Sequence, residues 1–151
     1  QIGNGTDASI IATGVTVSEA LKAKEELNKQ GIDVRVIDLH TIKPIDKGLI
    51  IKCAKETKKI VKVEDHSIVG GLGSAVCEVI AENCLGDIIS KDENSDNIKQ
   101  YELQKVARMG IKDEFGTSGK AEELIRYFKI DCDSIVEKLK EMWIFCEFLK
   151  I

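Results

Sequence analysis

The sequence predicts an α/β fold: a three-layer α/β/α sandwich on a mostly parallel, mixed sheet of about five strands. Short apolar runs rich in β-branched residues alternate with helical segments of about ten to fifteen residues, which implies crossover units that cover both faces of a parallel sheet. The breaks between these segments fall at glycines and at Pro44, the one proline in 151 residues. A chain of this length buries about 70% of the surface its unfolded form exposes, enough for one core, and residues 1–151 read as a single domain.

Ala8 to Thr13 is almost wholly apolar, as a strand covered on both faces should be, and Gly14 breaks it. Thr16 with Glu19 forms a capping-box pattern, followed by Val17, Ala20, Leu21 and Leu27 at helical spacing and Gly31 as the stop. Val34, Val36, Ile37 and Leu39 read as a second strand. After the turn at Pro44, Asp46 is positioned to cap a helix whose apolar side is Leu49, Ile50, Cys53 and Ala54. A third strand, Ile60 to Val63, runs into Glu64, Asp65 and His66. Past the glycines at 70, 71 and 73, Leu72, Val76, Val79 and Ile80 make an amphipathic helix that should fray near Asn83 and Gly86.

Residues 87–100 are polar and acidic without a period and read as a solvated excursion. A fourth strand is expected within Leu103 to Met109. Ser118 is positioned to cap a helix carrying Leu124, Ile125 and Phe128, and Asp133 a last helix carrying Ile135, Leu139, Met142, Cys146 and Leu149. From 142 to 151 the chain is so apolar that no single helical stripe hides it, so this extension should be covered by its own domain or a neighbouring chain.

Composition removes several classes of function. With a net charge of −4 and no basic block, the chain lacks the electrostatic footprint of a nucleic-acid binder. No run approaches the roughly 18 apolar residues of a membrane span. Cys53, Cys77, Cys84, Cys132 and Cys146 are odd in number and lack paired spacing, so free thiols and a cytoplasmic setting are expected, with Cys77 and Cys84 packed on one helix face. No metal site is expected, with two histidines and no short ligand pair. A start at Gln1 rather than methionine reads as a segment of something longer.

Chemistry concentrates in Val63 to Val76. Gly70, Gly71 and Gly73 before a helix would let backbone amides approach a phosphate, and Ser74 would sit beside them. The dinucleotide fingerprint, however, needs a glycine directly after the strand and a third glycine where Val76 stands. The other reading is a tight turn whose small residues let the helix lie close to the sheet. Glu64, Asp65 and His66 fall where open α/β sheets place ligands, although a lone histidine beside two acids is more often a hydrogen-bonded structural or interface group. Glu64, Asp65, His66, Gly70, Gly71, Gly73 and Ser74 are therefore the candidate ligand or interface residues. No nucleophile elbow or Walker loop occurs, so no catalytic residues are assigned.

Glu64-Asp65-His66-Ser67 with Gly70-Gly71-Leu72-Gly73-Ser74-Ala75-Val76 resembles the central signature of the transketolase C-terminal domain. Arg108 to Lys120 resembles that family's late motif, which continues through Glu122, Glu123 and Leu124, and the Ile42-Lys43-Pro44-Ile45-Asp46 turn is similar as well. The resemblance runs over residues 5 to 140. Relatives of the same fold are deoxyxylulose-phosphate synthase and the 2-oxoacid dehydrogenase beta subunit; Asp113, Phe115-Gly116 and Ser118-Gly119 favour transketolase. The excursion at 87–100 and the tail beyond Met142 depart from the pattern.

The resemblance implies a parent enzyme that moves a two-carbon ketol unit between sugar phosphates with thiamine diphosphate and a divalent metal, Mg or Ca. It implies that this domain packs on the pyrimidine-binding and diphosphate-binding domains and on a homodimer partner, binds no cofactor itself, and is inactive alone. No Gly-Asp-Gly metal-diphosphate motif occurs in the chain. The competing readings are the same domain of another thiamine-diphosphate enzyme, a regulatory nucleotide- or anion-binding module using Gly70 to Ser74, and an interaction module docking through its apolar tail.

Overall fold

The computed structural model describes residues 1–57, 59–84 and 105–148, with side chains as far as 143. The elements run β1 (Ala8–Ala12), α1 (Thr16–Lys29), β2 (Val34–Asp38), α2 (Lys47–Thr57), β3 (Lys59–Ser67), α3 (Leu72–Cys84), β4 (Lys105–Ile111), α4 (Ala121–Tyr127) and α5 (Cys132–Phe148). The expected excursion at 87–100 and the side chains of the extension beyond Trp143 lie outside the described residues.

The strands pair in the order β2-β1-β3-β4, every pair parallel. Right-handed crossovers dictate which face each helix takes. The step from β1 to β2 runs one way along the sheet, and the steps to β3 and then β4 run the other way. α1 therefore lies on one face, with α2 and α3 on the opposite one. The two cores follow this division. Ala20, Ala23 and Leu27 of α1 and Ile135, Leu139 and Met142 of α5 pack on Ile10, Val36, Val61 and Val63. Ile50 and Cys53 of α2 and Leu72, Val76 and Ile80 of α3 pack on Ile11, Ile37 and Ile60. β1 is central and buried along its whole length, which is why its sequence is continuously apolar.

Among the described residues the antiparallel part of the sheet is a single bridge at the outer edge of β2, where Ile2 N–H donates to Val36 O at 2.7 Å and Val36 N–H to Ile2 O at 3.0 Å. The arm leading from it stays on this edge. Asp33 N–H donates to Asp7 Oδ2 at 2.7 Å, and Arg35 Nε donates to Gly5 O at 2.6 Å while its guanidinium pairs with Glu56. The Arg35 hydrogen bond holds the Glu56 carboxyl below the usual carboxylate range. At Gly5 the arm lies so close to β2 that a Cβ would stand 2.3 Å from the carbonyl carbon of Val34.

Two of the helix signals hold as expected. Leu49 N–H donates to Asp46 Oδ1 at 2.9 Å, so Asp46 caps α2. At the end of α1, Gly31 at φ +78° donates to Asn28 O and Ile32 to Leu27 O, both at 3.0 Å, the paired bonds of a Schellman stop. Asp46→Ala should lower stability by about 1 kcal/mol, read as a shifted urea midpoint with unchanged slope.

Three other caps differ. Thr16 makes no capping bond to α1; its hydroxyl donates to Thr13 O at 2.8 Å and lies 3.1 Å from Val63 O, which ties the start of α1 to β3. Glu19 instead accepts from Cys132 N–H at 3.0 Å, joining α1 to the start of α5. Ser118 lies two residues ahead of the α4 cap, Lys120, which makes no side-chain capping bond. The acid that caps α5 is Asp131, whose Oδ1 accepts from Ser134 N–H at 3.2 Å, while Asp133 sits in the first turn. Among the described residues Cys53, Cys77 and Cys132 are free thiols, and no helix is long and apolar enough to cross a membrane.

Candidate functional site

The expected site residues lie along the carboxyl half of β3 and the turn into α3. β3 continues to Ser67, four residues beyond the expected end, with a register irregularity against β4 between Val63 and Ser67. Side chains on a strand alternate between faces, so Lys62 and Glu64 share the face of Ile60 that looks toward α3. Both are buried, Lys62 to 0% exposure and Glu64 to 1%.

Glu64 reaches across to the first turn of α3. Its Oε2 accepts from Leu72 N–H at 2.7 Å and its Oε1 from Gly73 N–H at 3.3 Å. A carboxylate there meets amides with no helical partner and the positive end of the helix dipole. The groups that would cradle a phosphate are thus occupied by an acid of the chain itself. The glycines make the approach possible. A Cβ on Gly71 would stand 2.3 Å from Glu64 Oε2, and one on Gly110 of β4 would stand 3.1 Å from Glu64 Cγ and 2.8 Å from His66 O. Gly73 lies over the stems of Lys62 and Arg108, whose Cδ atoms would be 2.9 and 3.0 Å from its Cβ.

The Lys62 ammonium touches Glu64 Oε1 and makes no hydrogen bond among the described residues. Burial, and then the neighbouring Arg108 guanidinium, push it down to about 7. Glu64 opposes that shift, but its oxygens are already shared with two amides and burial prevails. Arg108 itself is exposed and donates through Nη1 to Ile68 O at 3.0 Å.

Ser74 holds the turn from the other side: its hydroxyl accepts from Gly70 N–H at 3.0 Å and donates to Ile68 O at 3.3 Å, with Gly70 at φ +74°. Asp65 and His66 are exposed, and His66 Nδ1 lies 3.0 Å from Ser67 O. The structure therefore brings together Glu64, Gly70, Gly71, Gly73 and Ser74 and leaves Asp65 and His66 apart. Sequence reasoning passed over Lys62, and placed Arg108 and Gly110 in the late motif without counting them among the site residues. The signal for Lys62 was present, because a lysine among Ile60, Val61 and Val63 with a glutamate two residues on must share that glutamate's face. Among the described residues no group of three His, Cys, Asp or Glu side chains is placed to hold a metal ion.

The same end of the sheet collects the loop after β4. Ile68 N–H donates to Ile111 O at 3.0 Å, setting the turn into α3 beside residues 112–120, which are exposed throughout. Phe115 in that loop is 102% exposed and Asp113 has φ +28°. Both sequence blocks that carry the resemblance thus meet at the carboxyl end of the sheet.

The family model for the transketolase C-terminal domain matches residues 1–135. A putative transketolase C-terminal section from Methanocaldococcus jannaschii is 46% identical over 91% of this chain and 37% of its own length. Rat transketolase is 41% identical over 87% of this chain and 18% of the enzyme. Among solved structures, a split-gene transketolase described as an inactive beta4 tetramer superposes with a TM-score of 0.75 at 31% identity, over 91% of this chain and 39% of that one. The chain spans little more than a third of the archaeal relative and less than a fifth of the rat enzyme.

Proposed function

The chain belongs to the transketolase C-terminal domain family, and from that premise we propose that residues 1–151 act as the non-catalytic assembly domain of a cytoplasmic transketolase. The parent enzyme transfers a two-carbon ketol unit from a ketose phosphate to an aldose phosphate, as in the pentose phosphate pathway. Thiamine diphosphate, held with a divalent metal by other domains, supplies the electron sink. This domain packs on the pyrimidine-binding and diphosphate-binding domains of a homodimeric assembly. The size of the longer relatives supports that division, since most of their length lies outside the region matched.

The observation that carries the non-catalytic reading is the place of Glu64. The amides of α3 that could receive a diphosphate donate to its carboxylate, and Gly71 and Gly110 close on it from both sides. The start of α3, already filled by Glu64, does not fit a diphosphate, which supports the reading that the cofactor is held elsewhere. Glu64 and the glycines build the turn that shapes the carboxyl end of the sheet, and the exposed Asp65 and His66 are interface groups.

The test is reconstitution. The purified chain should show no ketol transfer and no thiamine diphosphate binding by calorimetry. Activity should appear only when it is joined to the pyrimidine- and diphosphate-binding domains with cofactor and Mg²⁺. Turnover by the purified chain alone would overturn the reading.

A further inference from the structure

Among the described residues one buried side-chain nitrogen or oxygen has no hydrogen-bond partner, the Nζ of Lys62. Such atoms are few in native structures, and redox or catalytic use is one of the reasons they persist. Glu64 Oε1 touches it, but that carboxylate already serves two amides of α3. Burial brings Lys62 down to about 7, so near neutral pH a share of it is the free amine, which carries a nucleophilic lone pair.

The stem of Lys62 runs under the first turn of α3, with its Cδ 2.9 Å from where a Cβ on Gly73 would stand. Residues four apart on a helix are neighbours on one face, with Cβ atoms about 5–6 Å apart, so Cys77 is the next side chain along that flank. It is close enough for charge on its sulfur to act on the Lys62 amine. The two groups differ in access. Cys77 is a free, half-buried thiol, whereas Lys62 is fully buried. A small oxidant therefore meets the sulfur from solvent while the amine is withheld from it. Cys84 lies two turns on, about 10 Å along the helix axis, beyond the roughly 7 Å that a disulfide spans between Cα atoms.

We propose that Cys77 and Lys62 form a reversible oxidative bridge, a sulfenamide that ties α3 to β3 when the chain meets hydrogen peroxide. In the first step the Cys77 sulfur attacks one peroxide oxygen and the O–O bond breaks, giving the sulfenic acid and one water. Sulfur loses two electrons and peroxide gains them. In the second step the Lys62 lone pair attacks that sulfur and the S–O bond breaks. The hydroxyl leaves with a proton from the nitrogen as a second water, and an S–N bond remains. Two molecules of an external thiol reverse the bridge. The first forms a mixed disulfide with Cys77 and returns the amine, and the second frees the Cys77 thiol and departs with the first as a disulfide. Capture by the amine stops the sulfur short of the irreversible sulfinic acid.

The test is a tryptic digest of the purified chain after treatment with hydrogen peroxide and blocking of the remaining thiols, read by mass spectrometry. Lys59, Lys62 and Lys91 are successive cleavage points in this stretch. A bridged Lys62 resists trypsin, so the expected product is the peptide 60–91, two hydrogens lighter than its thiol form and blocked at Cys84 alone. Dithiothreitol before blocking should return the ordinary peptide 63–91. Cys77→Ser should abolish the bridge, and Lys62→Met should raise the sulfenic acid that dimedone traps at Cys77 by about tenfold. The proposal is overturned if wild-type Cys77 stays reduced, reaches sulfinic acid or joins another cysteine while trypsin still cuts after Lys62. Trapping that Lys62→Met leaves unchanged would also overturn it. The wild-type digest decides the matter even if Lys62→Met folds poorly.

Discussion

Glu64→Ala should destabilise the domain by about 3–5 kcal/mol, the largest loss expected for a single side-chain truncation in this structure. Two amides at the start of α3 would lose their acceptor, and the buried Lys62 ammonium would lose the carboxylate it touches. Thermal and urea unfolding measure the loss directly. Lys62→Met should cost far less or stabilise, because Glu64 keeps both amide donors and the helix dipole while a buried cation is replaced by a side chain of similar volume. Linkage separates the two roles. With the Lys62 ammonium pushed down to about 7, both folded and unfolded chains carry its proton below that pH. Between there and the ordinary lysine value of 10.5, only the unfolded chain does. The unfolded state then binds more protons, so stability gains from this residue as pH rises through the window. That rise should be absent in Lys62→Met; an identical pH profile in the two proteins would show that Lys62 does not titrate there.

Gly71→Ala should cost about 3 kcal/mol, through overpacking rather than through lost contacts. The new methyl would stand 2.3 Å from Glu64 Oε2 and 2.7 Å from Ser67 O. Ser67 O is backbone, and Glu64 is held by its two amides, so neither yields without moving the start of α3. Gly73→Val should cost about 1–3 kcal/mol, because its neighbours are the methylene stems of Lys62 and Arg108. Of these, the Arg108 stem ends in solvent and can swing aside. Calorimetric melting of the two variants gives the ranking, and an unshifted transition for Gly71→Ala would mean that the glycine turn is looser than its geometry states.

The elements of the sheet were readable because their signals are local. β1 is continuously apolar since it is covered on both faces, and α1 ends where Gly31 supplies a positive φ that few other residues adopt. The caps were readable only where no distant group competed. Asp46 had none and caps as expected, whereas the Thr16 hydroxyl has Val63 O within 3.1 Å, from a residue 47 positions away. No local pattern reports such a partner. At α5 two aspartates stand two positions apart, and pattern alone does not choose Asp131 over Asp133. The candidate site divides in the same way. Its residues were recognisable from their glycines and their place after β3, but whether Glu64 faced a ligand or the protein depended on how far the strand continued. The irregularity that carries β3 to Ser67 beside β4 is a property of the pair of strands. The bridge at Ile2 left no sequence signal, because it is made by the backbone amide and carbonyl of Val36, which almost any residue supplies.

An open strand edge invites another chain to add to it, and proteins that avoid aggregation cover, charge or distort such edges. The outer edge of β2 is covered by the chain's own first residues, with Ile2 taking the amide and carbonyl of Val36 and Gly5 lying against Val34. Arg35, buried and charged, holds this cover in place and would be costly to leave facing a foreign strand. The arm thus keeps one side of an apolar parallel sheet from recruiting its neighbours, a form of solubility that the net charge of the chain does not reveal.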